Sequence, residues 1–237
     1  GISKSASRGI IIKNGGALEK LAEIKAFIFD KTGSLTLGQP EIVQVLSFAE
    51  NEKEVLRLSA SLDQLSLHIL ARSLRAYALQ EKNDLVIPTN FKENFGDGVI
   101  GEIDRNVFSF GKLKFLEKRG IDISKEILEK NESFKDKGQI VVYLGNATHV
   151  LGAIVFADVI RPEIKKVFSD LRNHGVDHLV MLTGDKKGVA DIIAKELNLD
   201  DIHAEALPED KVWQVEDHKK KNRKVAMIGD GVNDAPA

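Results

Sequence analysis

The stretch Ala26-Phe27-Ile28-Phe29-Asp30-Lys31-Thr32-Gly33-Ser34-Leu35-Thr36 decides the reading of this chain. Four apolar residues run straight into a carboxylate, and a Gly-containing turn follows. A short continuous apolar run suits a strand buried on both faces. Its last residue then projects from a rigid sheet into an open crevice, where parallel sheets gather their ligands. A carboxylate placed there can attack phosphorus, with the turn's backbone N–H groups and Lys31 neutralising phosphate oxygens. Thr32 carries a second message. An acidic side chain at that position could act as general acid/base during release of the phosphoryl group, and a hydroxyl cannot. An aspartyl phosphate on Asp30 is therefore expected to persist, as a machine that changes shape between phosphorylation and hydrolysis requires.

Three later segments share the same grammar of an apolar run ending in a small or acidic residue. They are Val176–Thr183 followed by Gly184-Asp185, a weaker Ile202–Ala206, and Lys224–Ile228 followed by Gly229-Asp230. Amphipathic helices are predicted between them. Pro162 suits a first helical position, and Ile164, Val167, Phe168 and Leu171 keep helical spacing up to Gly175. Val189, Ile192, Ile193 and Leu197 form the next stripe, and Val212, Trp213 and Val215 a partial third. Alternation of this kind predicts a doubly wound parallel α/β sheet. Asp30, Thr183, Asp185, Asp230 and Asp234 would all fall in loops at the carboxyl ends of its strands.

The segment from about Glu41 to Ala157 breaks that rhythm. A long helical pattern (Val55, Leu58, Leu62, Leu65, Ile69) gives way to Gly-punctuated β-rich stretches at Phe95–Val99, Val107–Phe110, Ile140–Leu144 and Val150–Phe156. It reads as an α+β domain inserted after the first strand, with Pro40 and an Asp158–Pro162 turn at the crossings. The expected division is a lead-in over 1–22, a discontinuous α/β domain over 23–40 and 158–237, and the insert over 41–157.

Composition narrows the function. The chain has 237 residues, a formal net charge of −2 and 30% charged residues, so no charge excess argues for nucleic acid or an anionic surface. It has no Cys, which excludes disulfides, thiolate metal sites and thiol redox chemistry. Its apolar runs are strand-sized, far short of the roughly 18–20 residues of a membrane span. Gly1 and the closing Gly229–Ala237 loop, which should feed a helix, suggest a domain cut from a larger chain and monomeric on its own.

Candidate site residues follow from chemistry. Asp30 is the nucleophile. Asp230 and Asp234, four apart around Gly231 and Asn233, suit hard-oxygen ligation of Mg²⁺ with Asp30 supplying another oxygen. Thr183-Gly184-Asp185 can place a hydroxyl and a backbone N–H on a phosphoryl group, although the tripeptide alone is a common turn. Lys211, after Leu207-Pro208-Glu209-Asp210, can bring a cation to the equatorial charge of phosphoryl transfer. No Gly-x-x-x-x-Gly-Lys-Ser/Thr loop is present, so a Walker-type cradle is excluded. Gly96-Asp97-Gly98 would let backbone approach a ligand closely, or would simply join two strands. His68, after a Ser-rich segment, could touch an adenine or a phosphate.

Together these residues resemble the P-type ATPases, in particular their heavy-metal-transporting (CPx-type) branch, over essentially the whole chain. Asp30–Thr36 resembles the phosphorylation motif, Thr183-Gly184-Asp185 the TGD motif, and Leu207-Pro208 with Lys211 the lysine segment. Gly229–Ala237 resembles the hinge motif, and Asp158 with Arg161-Pro162-Glu163 the return from the nucleotide domain. The short insert, the lead-in Ala6–Ile10 and the His68 segment favour the heavy-metal branch.

The resemblance implies a haloacid-dehalogenase-like phosphorylation domain and an inserted nucleotide-binding domain. It implies ATP and Mg²⁺ as cofactors, and absent membrane helices and an actuator domain of the same chain as partners. It places the chain on the cytoplasmic face of a membrane, with copper the favoured ion. Asp30 would accept the γ-phosphate; Lys31, Thr32, Thr183, Gly184, Asp185 and Lys211 would serve phosphoryl transfer. Thr32, Asp230, Asn233 and Asp234 would support Mg²⁺, and His68, Gly96 and Gly98 would embrace adenosine. Leu67, Ile69 and Lys112 stand where the family usually has Glu, Pro and Asn. Loss of an acceptor at position 67 predicts weak nucleotide binding, by about 1 kcal/mol or more. Two other functions compete: a free-standing phosphatase or phosphotransferase of the same fold, and a phospho-accepting regulatory domain.

Overall fold

The computed structural model describes residues 5–49, 51–220 and 224–229, with the side chains of 208, 209, 211, 218 and 219 outside that description. The chain divides into two compact units. One comprises the residues up to Leu37 and from Ile160 onward, and the other runs from Gly38 to Val159.

The first unit opens with helix α1 (Gly16–Ala22) and strand β1 (Ala26–Asp30). Helix α6 (Ile164–Asn173), strand β8 (His178–Leu182), helix α7 (Lys187–Leu197), strand β9 (Asp201–His203), helix α8 (Pro208–Lys220) and strand β10 (Val225–Ile228) complete it. Its four strands are parallel in the order β10-β1-β8-β9. Alternation along the strands sorts side chains to opposite faces. Phe27, Phe29, Leu179 and Met181 pack with Ile164 and Phe168 of α6 and Ala190 and Leu197 of α7. Ile28, Val180 and Leu182 pack with Val215 of α8. Helices therefore cover both faces, and the sheet is doubly wound.

Two details of the helix reading change. Pro162 precedes α6 rather than opening it: the Ile164 N–H donates to the Arg161 carbonyl, closing a turn before the helix starts after Glu163. In α8 Val215 is buried and Val212 half-buried while Trp213 is 73% exposed, so Trp213 leaves the predicted stripe.

The second unit is built on a six-stranded sheet in the order β2-β7-β6-β5-β4-β3. Its strands are β2 (Thr36–Ser47), β3 (Thr89–Asn94), β4 (Gly98–Ile103), β5 (Asn106–Gly111), β6 (Ile140–Gly145) and β7 (Val150–Ile160). The four pairings from β3 through to β7 are antiparallel. Helices α2 (Glu52–Asp63) and α3 (Ile69–Gln80) cover one cluster of the sheet, and α4 (Leu113–Lys118) and α5 (Lys125–Asp136) another.

The single long helix expected over Val55–Ile69 is two helices. His68 ends the break by capping α3, its Nδ1 accepting from the Leu70 N–H at 3.2 Å. Leu65 and Ile69, assigned to the stripe, are accordingly exposed. Pro40 and Asp158 lie within β2 and β7, so both crossings are continuous strands, and the return turn begins only at Arg161.

Candidate functional site

Asp30 is the last residue of β1 and pairs in register with Leu182, the last residue of β8. Both strands therefore end together. The turn Lys31–Leu35 and the loop Thr183-Gly184-Asp185 emerge side by side at the carboxyl edge of the sheet, far apart in sequence. Lys31 is 8% exposed and its Nζ lies 2.9 Å from Asp185 Oδ2. That ion pair joins the two loops directly.

The turn is held by local bonds. Thr36 Oγ1 donates to the Lys31 carbonyl at 3.2 Å and accepts from the Gly33 N–H at 3.4 Å. Gly33 has φ +78°, a left-handed conformation that a side chain would strain. Arg161 reaches back to the same turn: its Nη2 donates to the Gly33 carbonyl at 2.9 Å and its N–H to the Leu35 carbonyl at 2.9 Å. The segment where the chain returns to this unit thus fixes the backbone at Gly33, three residues beyond Asp30.

Thr183 is 4% exposed. Its N–H donates to the His203 carbonyl and its carbonyl accepts from the Ala206 N–H, while its Oγ1 accepts from the Asp185 N–H at 3.1 Å. The hydroxyl keeps its own proton as a donor. Thr32 and Gly184 are exposed. The structure therefore gathers Asp30, Lys31, Thr32, Thr183, Gly184 and Asp185 at one sheet edge. Lys211 lies in α8, with its side chain outside the described residues. Asp230, Asn233 and Asp234 also lie outside them. Among the described residues no group of three His, Cys, Asp or Glu forms a metal cluster. The oxygen donors of Asp30 and Thr32 fit a hard cation such as Mg²⁺.

His68, Gly96 and Gly98 meet elsewhere, in the second unit, around a cavity of about 440 Å³. Asp63, Ser66, Glu93, Lys112 and Val142 are among its other lining residues. Gly98 pairs with Gly111 across β4 and β5. A Cβ on Gly98 would sit 2.5 Å from the Phe110 carbonyl oxygen, and one on Gly111 the same distance from that of Asp97. Only glycines allow this close approach, and they leave bare backbone for a ligand of nucleotide size. Gly96 needs its missing side chain for φ +79° alone.

The expected loss of an acidic acceptor is corrected here. Leu67 is 98% exposed and does not line the cavity, whereas Asp63 does, at 8% exposure. Burial, and then the charge of Glu93, pushes the Asp63 carboxyl up to about 7. A signal for it existed. Asp63 stands four residues after Ser59 and eight after Val55, both fully buried, so it occupies the apolar stripe of α2.

Comparison with known proteins places the chain in a family. A haloacid dehalogenase-like hydrolase model matches residues 24–237. The chain is 36% identical to a copper-exporting P-type ATPase of Vibrio cholerae, over all of this chain and 26% of that protein. It is 36% identical to a probable cadmium-transporting ATPase of Staphylococcus aureus, over all of this chain and 30% of that protein. It thus spans less than a third of either relative. Among solved structures, a zinc-transporting PIB-type ATPase in its E2.Pi state superposes with a TM-score of 0.87 at 31% identity. That match covers all of this chain and 38% of that one. The catalytic domain of the CPx-ATPase CopB-B, solved to follow conformational changes upon nucleotide binding, gives 0.68 at 31% identity over 99% of this chain and 83% of that one. The chain belongs to the haloacid dehalogenase-like hydrolases, in the branch formed by the catalytic domains of heavy-metal P-type ATPases.

Proposed function

We propose that this chain is the phosphorylation and nucleotide-binding machinery of an ATP-driven heavy-metal cation pump, copper favoured. The observation that carries this reading is the shared edge of β1 and β8, where Asp30 stands beside Thr183-Gly184-Asp185 with Lys31 bonded to Asp185. A carboxylate oxygen of Asp30 attacks the γ-phosphorus of ATP in line, the P–O bond to the β-phosphate breaks, and ADP leaves. Thr183 and the Gly184 N–H bond the equatorial oxygens, and Lys31 and Lys211 offset their charge. Asp30, Thr32 and Asp230, with Asn233 and Asp234 in support, would hold Mg²⁺, which would supply charge neutralisation on the transferring group. Thr32 provides no general base, so Asp30 keeps the phosphoryl group until water is admitted.

The remaining partners are membrane helices and an actuator domain of the same full-length chain, whose ion-binding states the phosphoenzyme biases on the cytoplasmic face. No helix among the described residues is long and apolar enough to cross a membrane, so ion selectivity belongs to those helices. Copper rests on the transport named for the relatives, among which cadmium and zinc also occur.

The test is labelling of the chain with γ-labelled ATP and Mg²⁺. An acid-stable, hydroxylamine-labile protein phosphate is expected, with slow turnover of small phosphate esters. Rapid ester turnover with no trapped acyl phosphate would support a phosphatase instead. Labelling only from a phosphoprotein donor would support a regulatory domain.

A further inference from the structure

Among the described residues six other than glycine hold a left-handed backbone, and five have a local reason for it. Lys82 follows the end of α3, and Asn198 caps α7. Asp104 and Arg105 join β4 to β5, and Asn90 sits at the register shift in β3. The sixth is Glu205, at φ +54°. It lies between β9 and α8, at neither a helix end nor a hairpin. A left-handed backbone is uncommon outside Gly, Asn and Asp, and it persists only where the surroundings hold it.

What holds Glu205 is the loop Thr183-Gly184-Asp185. The Glu205 N–H donates to the Asp185 carbonyl at 2.8 Å, and the Ala206 N–H donates to the Thr183 carbonyl at 3.0 Å. In extended backbone two successive N–H groups face opposite sides; a left-handed residue turns both toward one. With the bond from the Thr183 N–H to the His203 carbonyl at 3.0 Å, three backbone bonds clasp the two loops. The clasp reaches the reacting carboxylate by a short route. Asp185 Oδ2 pairs with Lys31 Nζ at 2.9 Å, and Lys31 follows Asp30 directly. In the other direction the chain passes from Glu205 into α8, which begins at Pro208 and carries Lys211. The Glu205 side chain is exposed, and among the described residues its carboxylate forms no hydrogen bond or ion pair.

We propose that Glu205 is a positioning residue for phosphoryl transfer: its left-handed backbone sets Thr183-Gly184-Asp185 against the Asp30 turn, and its side chain takes no part. The inference rests on the phosphoryl-transfer reading of that sheet edge. Position 205 must then supply a conformation and not a charge. Glycine reaches φ +54° freely, and alanine reaches it at the same cost as glutamate, since neither branches at Cβ. A β-branched side chain at that φ is an outlier, so Glu205→Val would turn the backbone away and open the clasp.

The experiment is single-turnover labelling of the chain with γ-labelled ATP and Mg²⁺, repeated on Glu205→Val, Glu205→Ala and Glu205→Gly, with ATP affinity measured by calorimetry on the same preparations. Glu205→Val should slow labelling at saturating ATP by roughly tenfold to a hundredfold, the scale on which a small misplacement at a reacting centre acts. Its ATP affinity should stay within about twofold, because the nucleotide cavity lies in the other unit. Glu205→Ala and Glu205→Gly, which lose the carboxylate and keep the backbone, should recover the rate to within about threefold of wild type. Wild-type labelling by Glu205→Val, with circular dichroism showing an intact fold, overturns the positioning role. A tenfold loss in both Glu205→Ala and Glu205→Gly assigns the effect to the carboxylate and overturns the backbone reading, whether or not Glu205→Val folds. A wild-type chain that binds ATP and takes no label overturns the phosphoryl-transfer reading, and this inference with it.

Discussion

Under the proposed function, the two units of this chain meet a phosphorylated ligand in opposite ways. In the first, parallel strands end in register, and the reactive groups follow each strand within three residues: Asp30 closes β1, and Thr183-Gly184-Asp185 follows β8. In the second, antiparallel strands enclose a cavity whose polar groups come from a helix end, a helix cap and two strand turns. The first arrangement fixes its carboxylate through the backbone of a buried strand; the second holds Glu93 through a side-chain bond from Ser66. Chemistry that must place one oxygen against one phosphorus uses the stiffer scaffold. Recognition, which tolerates small errors, uses the softer one.

If the division is real, substitutions should separate transfer from binding. The largest effect is expected at the nucleophile. Asp30→Asn should abolish phosphoenzyme formation, a loss of about a thousandfold or more, while leaving nucleotide affinity within about twofold. Labelling and calorimetry on the same preparation check both halves. In the second unit Gly98→Val should do the reverse. Its Cβ meets the Phe110 carbonyl at 2.5 Å and the Gly111 Cα at 2.7 Å, so nucleotide affinity should fall at least tenfold and stability by about 1–3 kcal/mol. Denaturant titration alongside binding would show whether the loss is confined to the cavity.

Arg161 tests how far rigidity of the nucleophile turn matters. Removing its bond to the Gly33 carbonyl in Arg161→Ala should slow phosphorylation roughly tenfold to a hundredfold with nucleotide affinity unchanged. Single-turnover labelling would report it, and Arg161→Lys should recover part of the rate. A larger change in affinity than in rate would place Arg161 on the binding side of the comparison.

A pH series sharpens the electrostatic contrast. Asp63 keeps its proton to about 7 when folded, against an ordinary 3.8, so the folded chain binds more protons than the unfolded one between those values. Stability from this group is therefore lost as pH rises through that window and is level above it, by on the order of 2–4 kcal/mol. Asp63→Asn should flatten the profile in chemical denaturation from pH 4 to pH 8, and should be the more stable form at the upper end. The smallest effect belongs to exposed ion pairs: Lys187→Ala, which breaks the pair with Asp191, should change stability by less than about 0.5 kcal/mol.

How much of this was legible in the sequence differs between the units for the same physical reason. The strands of the parallel sheet are apolar on both faces, and their ends coincide with the motifs, so Asp30 and Thr183 could be placed from local pattern alone. The break between α2 and α3 could not. Val55, Leu58, Leu62, Leu65 and Ile69 keep helical spacing straight through it, and only the bond from the Leu70 N–H to His68 Nδ1 reveals a new helix start. Pro162 misled by a similar ambiguity, since a proline fits a turn as well as a first helical turn. Leu67 drew attention because it replaces an acidic residue, yet it faces solvent. The buried carboxyl of the cavity, Asp63, sits within an apolar stripe, where its period, rather than its neighbours, is the signal. Glu93 lies on β3 and Ser66 in the loop between α2 and α3, 27 residues earlier, and no local pattern joins them.

The central claim is that one oxygen of Asp30 becomes esterified by a phosphoryl group from ATP and stays so. Brief exposure of the chain to ATP and Mg²⁺, acid quench, reduction with labelled borohydride and peptide mapping tests it most directly. The account predicts labelled homoserine at position 30 and nowhere else. Label at another carboxylate, or none at position 30 while ATP is still hydrolysed, would contradict it.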